Sequence, residues 1–252
     1  MPKVAINGLG RIGRAALKIL LEKPGFELAA VNDLIPPENL AYLLQYDSAY
    51  GPYERKVEAG ESSLIIDGNE YKLLGIKDPA QLPWGELEVD LVLECTGLFT
   101  KKEDLQKHLQ AGAKHVILSA PAKSEELMTV VHGVNNEVDA AVEEEMVSCA
   151  SCTTNSIAPV VEILARRIGI KKAMLTTIHA YTSTQGIVDG PSKKFRRGRA
   201  AAANIVPTTT GAAIATTKTL PQYKGKFDGV AVRVPVPVGS ISDITFLLEK
   251  EA

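Results

Sequence analysis

Two places in this sequence combine residue types and spacings that suit chemistry. The first is Gly8-Leu9-Gly10-Arg11-Ile12-Gly13, a G-x-G-x-x-G string between the apolar run Val4–Ile6 and a helical pattern. Between a strand and a helix, such glycines allow a tight turn, close backbone approach to a pyrophosphate, and close helix–strand packing. The helix start offers unpaired N–H groups and a partial positive charge to phosphates. Asp33 follows Gly13 by 20 positions, at the end of the next strand pattern. A carboxylate there can accept hydrogen bonds from both ribose hydroxyls and repels a 2′-phosphate, which favours NAD over NADP. The plain alternative is an ordinary turn and a solvated loop acid, and the joint fit of loop and acid argues against it.

The second place is Ala150-Ser151-Cys152-Thr153-Thr154-Asn155, where a strand pattern gives way to a helical one. A thiol at a helix N-terminus feels the positive end of the dipole, which favours the nucleophilic thiolate. His179 ends an apolar strand in Thr177-Ile178-His179-Ala180-Tyr181-Thr182. Spacing alone leaves Cys152 open as either a buried structural cysteine or a nucleophile, and His179 open as an ordinary strand-end histidine. Cys149 and Cys152 form a C-x-x-C, which suits a redox pair or half a metal site. With no second C-x-x-C, no metal site is expected, and an oxidative switch is the remaining alternative reading of that pair.

These groups need a frame. In the first half, strand patterns at Lys3–Ile6, Phe26–Val31, Asp90–Glu94 and His115–Leu118 alternate with helical ones at Ala15–Leu21 and Lys102–Gln110. Such alternation predicts βαβ crossovers and a parallel sheet. After residue 150 the spacing of Ile157, Val160, Val161, Leu164 and Ile168 predicts a helix over Thr153–Ile168. Longer strands are predicted at Ala173–Ala180, Val230–Val236 and Ile241–Leu248. The expected architecture is an α/β dinucleotide-binding domain of Rossmann type over residues 1–150. An α+β domain with a mostly antiparallel sheet follows over residues 151–252.

Composition narrows the class. The chain is 45% hydrophobic and 23% charged, which suits a soluble globular protein and excludes disordered and collagen-like chains. No apolar run approaches the roughly 20 residues of a membrane helix, and the N-terminus enters strand-like sequence without a secretory apolar region. Three cysteines do not make a disulfide framework, so a cytoplasmic protein is expected. The net charge of −2 divides into −10 over residues 1–150 and +8 over residues 151–252. A basic second half points to an anionic partner, either phosphorylated small molecules or nucleic acid.

Several stretches together resemble phosphorylating glyceraldehyde-3-phosphate dehydrogenases. They are Asn7–Arg14, Asp47-Ser48, Glu94–Gly97, Ser119–Lys123, Ala150–Asn155, His179–Thr182, Asp189–Pro191, Pro207–Ala213 and Arg233–Pro235, in order over the whole chain. The resemblance implies that Cys152 attacks the aldehyde of glyceraldehyde 3-phosphate and that His179 is its base. A thioester then forms with NAD as oxidant, and inorganic phosphate cleaves it to 1,3-bisphosphoglycerate, a step of glycolysis. It implies a phosphate pocket from Ser151, Thr153, Thr210 and Gly211, and assigns Thr182, Arg199 and Arg233 to the substrate phosphate and its neighbouring anion. Gly8, Gly10, Arg11, Ile12, Gly13, Asp33, Lys77 and Ser119 fall to the dinucleotide. A homotetramer is implied, with Lys193–Arg199 reaching a neighbouring cofactor rather than nucleic acid.

Departures from the family pattern temper these expectations. Family members continue past the position of Ala252, so the second domain is expected to be incomplete relative to that pattern. Cys149 stands where asparagine is more usual, and Val236, Val238 and Gly239 replace a more polar stretch. The alternatives are an erythrose-4-phosphate dehydrogenase, an inactive NAD-binding fragment, and a nucleic-acid-binding module built on Lys193–Arg199.

Overall fold

A computed structural model describes residues 1–135 and 144–250. They divide into two units, residues 1–129 with 144–150, and residues 130–135 with 151–250. A single cut after residue 150 assigns residues 130–135 to the first half, whereas they group with the second.

The first unit is a nine-stranded sheet with helices on it. In chain order its main elements are β1 (Lys3–Asn7), α1 (Arg11–Glu22), β2 (Glu27–Asn32) and α2 (Pro37–Gln45). After the small ribbon of β3 (Tyr46–Asp47) and β4 (Gly51–Pro52) come β5 (Val57–Ala59), β6 (Ser63–Ile66) and β7 (Asn69–Leu74). Then follow β8 (Leu91–Glu94), α3 (Lys102–Gln110), β9 (His115–Leu118), β10 (Met128–Thr129) and β11 (Met146–Ser148). The spatial order is β10-β11-β9-β8-β1-β2-β7-β6-β5. Seven strands run parallel, and β6 and β5 extend the edge antiparallel. That hairpin extension makes the sheet mixed, where the alternating pattern predicts a parallel one.

Helices cover both faces, so the central strands are apolar throughout rather than alternating. Ala5 of β1 packs with Val92, Val116, Leu105 and the single tryptophan, Trp84. Its neighbour Ile6 points the other way, onto Leu17, Leu40 and Leu44. The chain builds β2 and β7 on one side of β1 and then crosses to build β8 on the other. Such a switch point opens a crevice at the strands' carboxyl ends, where ligands bind in this architecture.

The strand ends at that crevice are polar. Asn7, Asn32 and Glu94 close β1, β2 and β8 and stand in register. Asn32 donates to the Asn7 side chain at 2.7 Å, and Asn7 donates to Glu94 at 2.6 Å. The Glu94 carboxylate also accepts the Thr96 N–H at 2.8 Å and the Thr96 hydroxyl. Behind it lies His108, as fully buried as Glu94 itself. Trp84 Nε1 can only donate, and it donates to His108 Nδ1 at 3.0 Å. The ring proton therefore sits on Nε2, 3.2 Å from Glu94 Oε2. A buried carboxylate is tolerated when its lone pairs are this fully used.

The second unit has its own core. It contains α4 (Cys152–Arg167), β12 (Ile170–Ala180), β13 (Val206–Thr209), α5 (Ala212–Thr219), β14 (Phe227–Val234) and β15 (Ser240–Leu248). The sheet order is β13-β14-β12-β15, with β12–β14 parallel and the other two pairs antiparallel. Ile157 and Val161 of α4 meet Leu175 of β12, Phe227 of β14 and Ala212 of α5. In β14 the buried face is Phe227 and Ala231, continued by Arg233, while Val230 on the opposite face is exposed. Arg233 therefore lies on the packed side of the sheet and the valines largely do not.

Replacing Glu94 by alanine would leave the Asn7, Thr96 and His108 donors without their acceptor. The expected loss of folding free energy is about 3–5 kcal/mol, read by chemical denaturation. A loss under about 1 kcal/mol would show that the network carries little of the stability.

Candidate active site

The dinucleotide loop is shaped by what its glycines exclude. Gly8 has φ 94 and lies so close to Thr96 that a Cβ there would stand 2.8 Å from its backbone nitrogen. A Cβ on Gly13 would stand 1.9 Å from the Gly8 carbonyl oxygen, so α1 can approach β1 only with glycine at this position. A Cβ on Gly10 would meet nothing within 4 Å. Gly10 is the N-cap of α1, with no side chain capping it and no acidic residue in the first turn. The helix start thus presents bare N–H groups.

Asp33 ties this loop to the second strand. Its carboxylate accepts Leu9 N–H at 2.7 Å and Ile35 N–H at 3.1 Å. Gly8, Gly10, Asn32, Asp33, Leu34 and Lys77 help line a cavity of about 730 Å³ along the strand ends. Arg11 and Ile12 are exposed at the start of α1, and Gly13 is buried beneath the loop. Ser119 lies outside the cavity lining, with its N–H on the Glu94 carbonyl at 3.0 Å. Cys95 also lines the cavity, and burial pushes its thiol up to about 11.

In the second unit, Ser151 caps α4. Its hydroxyl accepts Thr154 N–H at 3.0 Å, and Cys152 opens the first turn. Ala150, just before, takes a left-handed φ of 60 that a non-glycine residue adopts only under constraint. Cys152 Sγ stands 3.4 Å from His179 Nε2. Hydrogen bonding to His179 lowers the Cys152 pKa against the opposing effect of burial, with help from Thr153. The same contact raises His179, which Ala180 O also favours while burial and Arg233 oppose it. Cys149, by contrast, is raised by burial, so the two cysteines of the C-x-x-C shift in opposite directions.

Arg233 Nη1 donates to Ala180 O and contacts His179 Nδ1, each at 2.8 Å. The parallel register that sets His179 opposite Arg233 brings them together. Thr210 accepts Ala212 N–H at 3.1 Å, and Gly211 is the N-cap of α5. Thr154 Oγ1 joins the two helix starts, 2.8 Å from Ser151 Oγ and 3.4 Å from Ala212 O. Ser151, Thr153, Thr210 and Gly211 therefore stand around two neighbouring helix N-termini. Thr182 Oγ1 contacts Thr184 Oγ1 at 2.9 Å.

Arg199 does not join this cluster. It is exposed, and its guanidinium pairs with Asp189 at 2.8 Å. Arg197 is the neighbour that turns inward, with Nε on Thr208 Oγ1 at 3.0 Å and a field felt at Arg233. Spacing cannot tell these two arginines apart, because the turn Phe195–Gly198 decides which one faces β13. Lys194 is likewise engaged, on Thr209 at 2.6 Å. Three cations of the basic stretch are thus held by the unit's own groups.

Two family models match consecutive stretches of the chain. "Glyceraldehyde 3-phosphate dehydrogenase, NAD binding domain" covers residues 2–102, and the corresponding "C-terminal domain" covers residues 151–252. The glyceraldehyde-3-phosphate dehydrogenase of Clostridium pasteurianum is 51% identical over 252 residues, 99% of this chain and 75% of the relative. Those of Streptomyces coelicolor and Geobacillus stearothermophilus are 50% and 49% identical, over 99% of this chain and 74% of each relative. The chain belongs to the glyceraldehyde-3-phosphate dehydrogenase family.

NAD is the cofactor of this family member, and the first unit fits it. The bare helix start, the open space at Gly10 and the carboxylate of Asp33 at one cavity are the groups a dinucleotide needs. Among the described residues, no helix is long and apolar enough to cross a membrane, and no cluster of His, Cys, Asp and Glu could hold a metal ion.

The two loop glycines make a paired prediction. Gly13→Ala should destabilise the fold by several kcal/mol through overpacking, whereas Gly10→Ala should leave the melting temperature nearly unchanged and weaken NAD binding at least tenfold. Calorimetric titration with NAD beside thermal unfolding checks both. Equal effects of the two substitutions on stability would contradict the assignment of roles.

Proposed function

We propose that this chain carries out the NAD-dependent, phosphorylating oxidation of glyceraldehyde 3-phosphate to 1,3-bisphosphoglycerate, a glycolytic reaction. The observation that carries the reading is the sulfur–imidazole contact at 3.4 Å on the first turn of a capped helix. It rests also on relatives named glyceraldehyde-3-phosphate dehydrogenase at about half identity over nearly the whole chain.

Cys152 Sγ, as thiolate, attacks the aldehyde carbon and forms a thiohemiacetal. The developing oxyanion gains from the α4 N-terminus and from His179 Nε2. His179 then takes the hydroxyl proton as the carbon is oxidised to a thioester. NAD, when bound, supplies the hydride acceptor for that oxidation. Inorganic phosphate attacks the thioester carbon, and the Cys152 thiolate leaves. Holding the acyl group on sulfur keeps the oxidation energy available for the acyl phosphate.

The two helix starts marked by Ser151, Thr153, Thr210 and Gly211 suit the attacking phosphate, since each offers N–H donors to an anion. Arg233 suits the substrate's own phosphate. Its guanidinium is partly buried, and its Nε has no hydrogen-bond partner, so an anionic ligand would complete it. We assign the second cation at this place to Arg197 rather than Arg199, on its contacts with Thr208 and the Thr209 carbonyl. Gly8, Gly10, Arg11, Ile12, Gly13, Asp33 and Lys77 are proposed to hold the dinucleotide. Ser119, hydrogen-bonded to Cys95 behind the cavity wall, would act through that wall.

Residues 1–150 and 151–252 are taken as the cofactor and catalytic domains, in a cytoplasmic homotetramer. Erythrose 4-phosphate as substrate draws no support from the names of the relatives.

NADH formation from glyceraldehyde 3-phosphate should require inorganic phosphate and should fall at least a thousandfold in Cys152→Ser. Arg197→Leu should lower kcat/KM by tenfold or more, with Arg199→Leu within about threefold of wild type. NADH absorbance at 340 nm reads all of these. Equal losses at the two arginines would return Arg199 to the site, and phosphate-independent turnover would remove the acyl-phosphate product.

A further inference from the structure

The Glu94 network borders the cofactor cavity as well as the core. Asn7, Asn32 and Thr96 all line that cavity, and each belongs to the chain of hydrogen bonds centred on Glu94. Among the described residues, four donors reach the carboxylate. Oε1 takes the Thr96 N–H and the Thr96 hydroxyl, while Oε2 takes Asn7 and His108. A carboxylate has about four lone-pair positions, so these donors fill it.

The direction of each bond in this chain is fixed from its ends. At one end Trp84 Nε1 only donates, so His108 accepts on Nδ1 and donates from Nε2. At the other, Asn32 accepts Ile76 N–H and donates to Ile76 O, each at 2.9 Å, which fixes its amide. Asn32 then donates to Asn7, and Asn7 donates to Glu94. The third end is the Thr96 peptide, whose N–H only donates. The hub must therefore accept on both sides, which a carboxylate does and an amide cannot. An amide nitrogen turned toward Thr96 opposes the peptide N–H. Turned the other way it opposes Asn7 and His108, and neither can reverse. His108 would set an Nδ1–H against Trp84, and Asn7 would set its nitrogen against that of Asn32. The softest escape is the Thr96–Leu98 turn, where Gly97 and Leu98 are exposed and Leu98 N–H rests on Thr96 Oγ1 at 3.1 Å. That turn lies against the glycine loop, since a Cβ on Gly8 would stand 2.8 Å from the Thr96 nitrogen.

We propose that Glu94 is a positioning residue for the cofactor: it holds Asn7, Asn32 and Thr96, at the ends of β1, β2 and β8, in one pattern of donors and acceptors beside the loop that meets the pyrophosphate of NAD. Glu94 is fully buried and acts only through them. Because these side chains are already ordered, binding does not have to order them, and the affinity is higher for it. His108 and Trp84 serve the same end from behind, by keeping a donor on Oε2. The inference rests on the proposed reading of Gly8–Gly13 as the pyrophosphate loop.

The test compares ADP-ribose, which carries the pyrophosphate, with adenosine, which lacks it, by calorimetric and NMR titration of the full chain. Glu94→Gln, shown to be folded by circular dichroism, should bind ADP-ribose about tenfold or more weakly than wild type and adenosine within about twofold. Charge alone predicts the opposite sign for ADP-ribose, because removing a carboxylate near a pyrophosphate favours the anion. ADP-ribose binding as tight as wild type, or tighter, overturns the proposal. Equal losses for both ligands also overturn it, since they mark a general loosening of the fold. If wild type binds ADP-ribose no better than adenosine, the loop reading falls with it. Thr96→Val and Thr96→Ser probe the same link without touching the carboxylate, and they decide alone should Glu94→Gln not fold. Thr96→Val should weaken ADP-ribose about fivefold, and Thr96→Ser, which keeps the hydroxyl, should restore most of that loss. Thr96→Val binding as tightly as wild type, or Thr96→Ser as weakly as Thr96→Val, overturns the proposal.

Discussion

The chemistry proposed for this protein hangs on a sulfur and an imidazole 3.4 Å apart, each delivered by a different element of one small unit. The sulfur comes at the first turn of α4, where unsatisfied N–H groups and the Ser151 cap fix its place. The imidazole comes at the end of β12, whose position is set by parallel pairing with β14 and antiparallel pairing with β15. Neither partner would be unusual alone. Their contact makes the thiol a better nucleophile and the ring a stronger base, and the pair takes up and releases protons as one system.

Around that contact the unit concentrates donors and few acceptors. Two helix starts, Arg197 and Arg233 leave a basic hollow in which, among the described residues, no carboxylate pairs with Arg233, which is costly to fold unless an anion arrives. The uneven charge of the sequence, −10 in the first half and +8 in the second, is the same fact at low resolution. The first unit solves a related problem differently. There glycine backbone, rather than cations, is proposed to meet the pyrophosphate, and a buried carboxylate that accepts from Asn7, Thr96 and His108 holds the strand ends beside it.

Much of this was legible in the order of residues. The G-x-G-x-x-G string with Asp33 behind it, and the alternation of strands and helices, carried the first domain because both are local signals. Cys152 and His179 were visible as types in suggestive places, but they lie 27 residues apart, and their meeting depends on how α4 packs against the sheet that holds β12. The Glu94–His108–Trp84 network was not legible at all, since its partners are joined only by sheet register and by α3. Helix α5 escaped because its run of Ala and Thr has no apolar stripe. Helix α2 carried a readable sign in Pro36-Pro37, a proline start. Arg199 was a natural choice beside Arg197 until the tight turn at Phe195–Gly198 separated their directions.

The account stands or falls with the ionisation of one thiol. Ultraviolet titration of thiolate absorbance, taken as the difference between the wild-type protein and Cys152→Ser, isolates that group. Because His179 holds the thiol below its ordinary value of 9.0, thiolate should persist as the pH falls below that value and disappear only at lower pH. In His179→Asn the midpoint should move upward. A wild-type midpoint at or above 9, or one that His179→Asn leaves in place, would contradict the central claim.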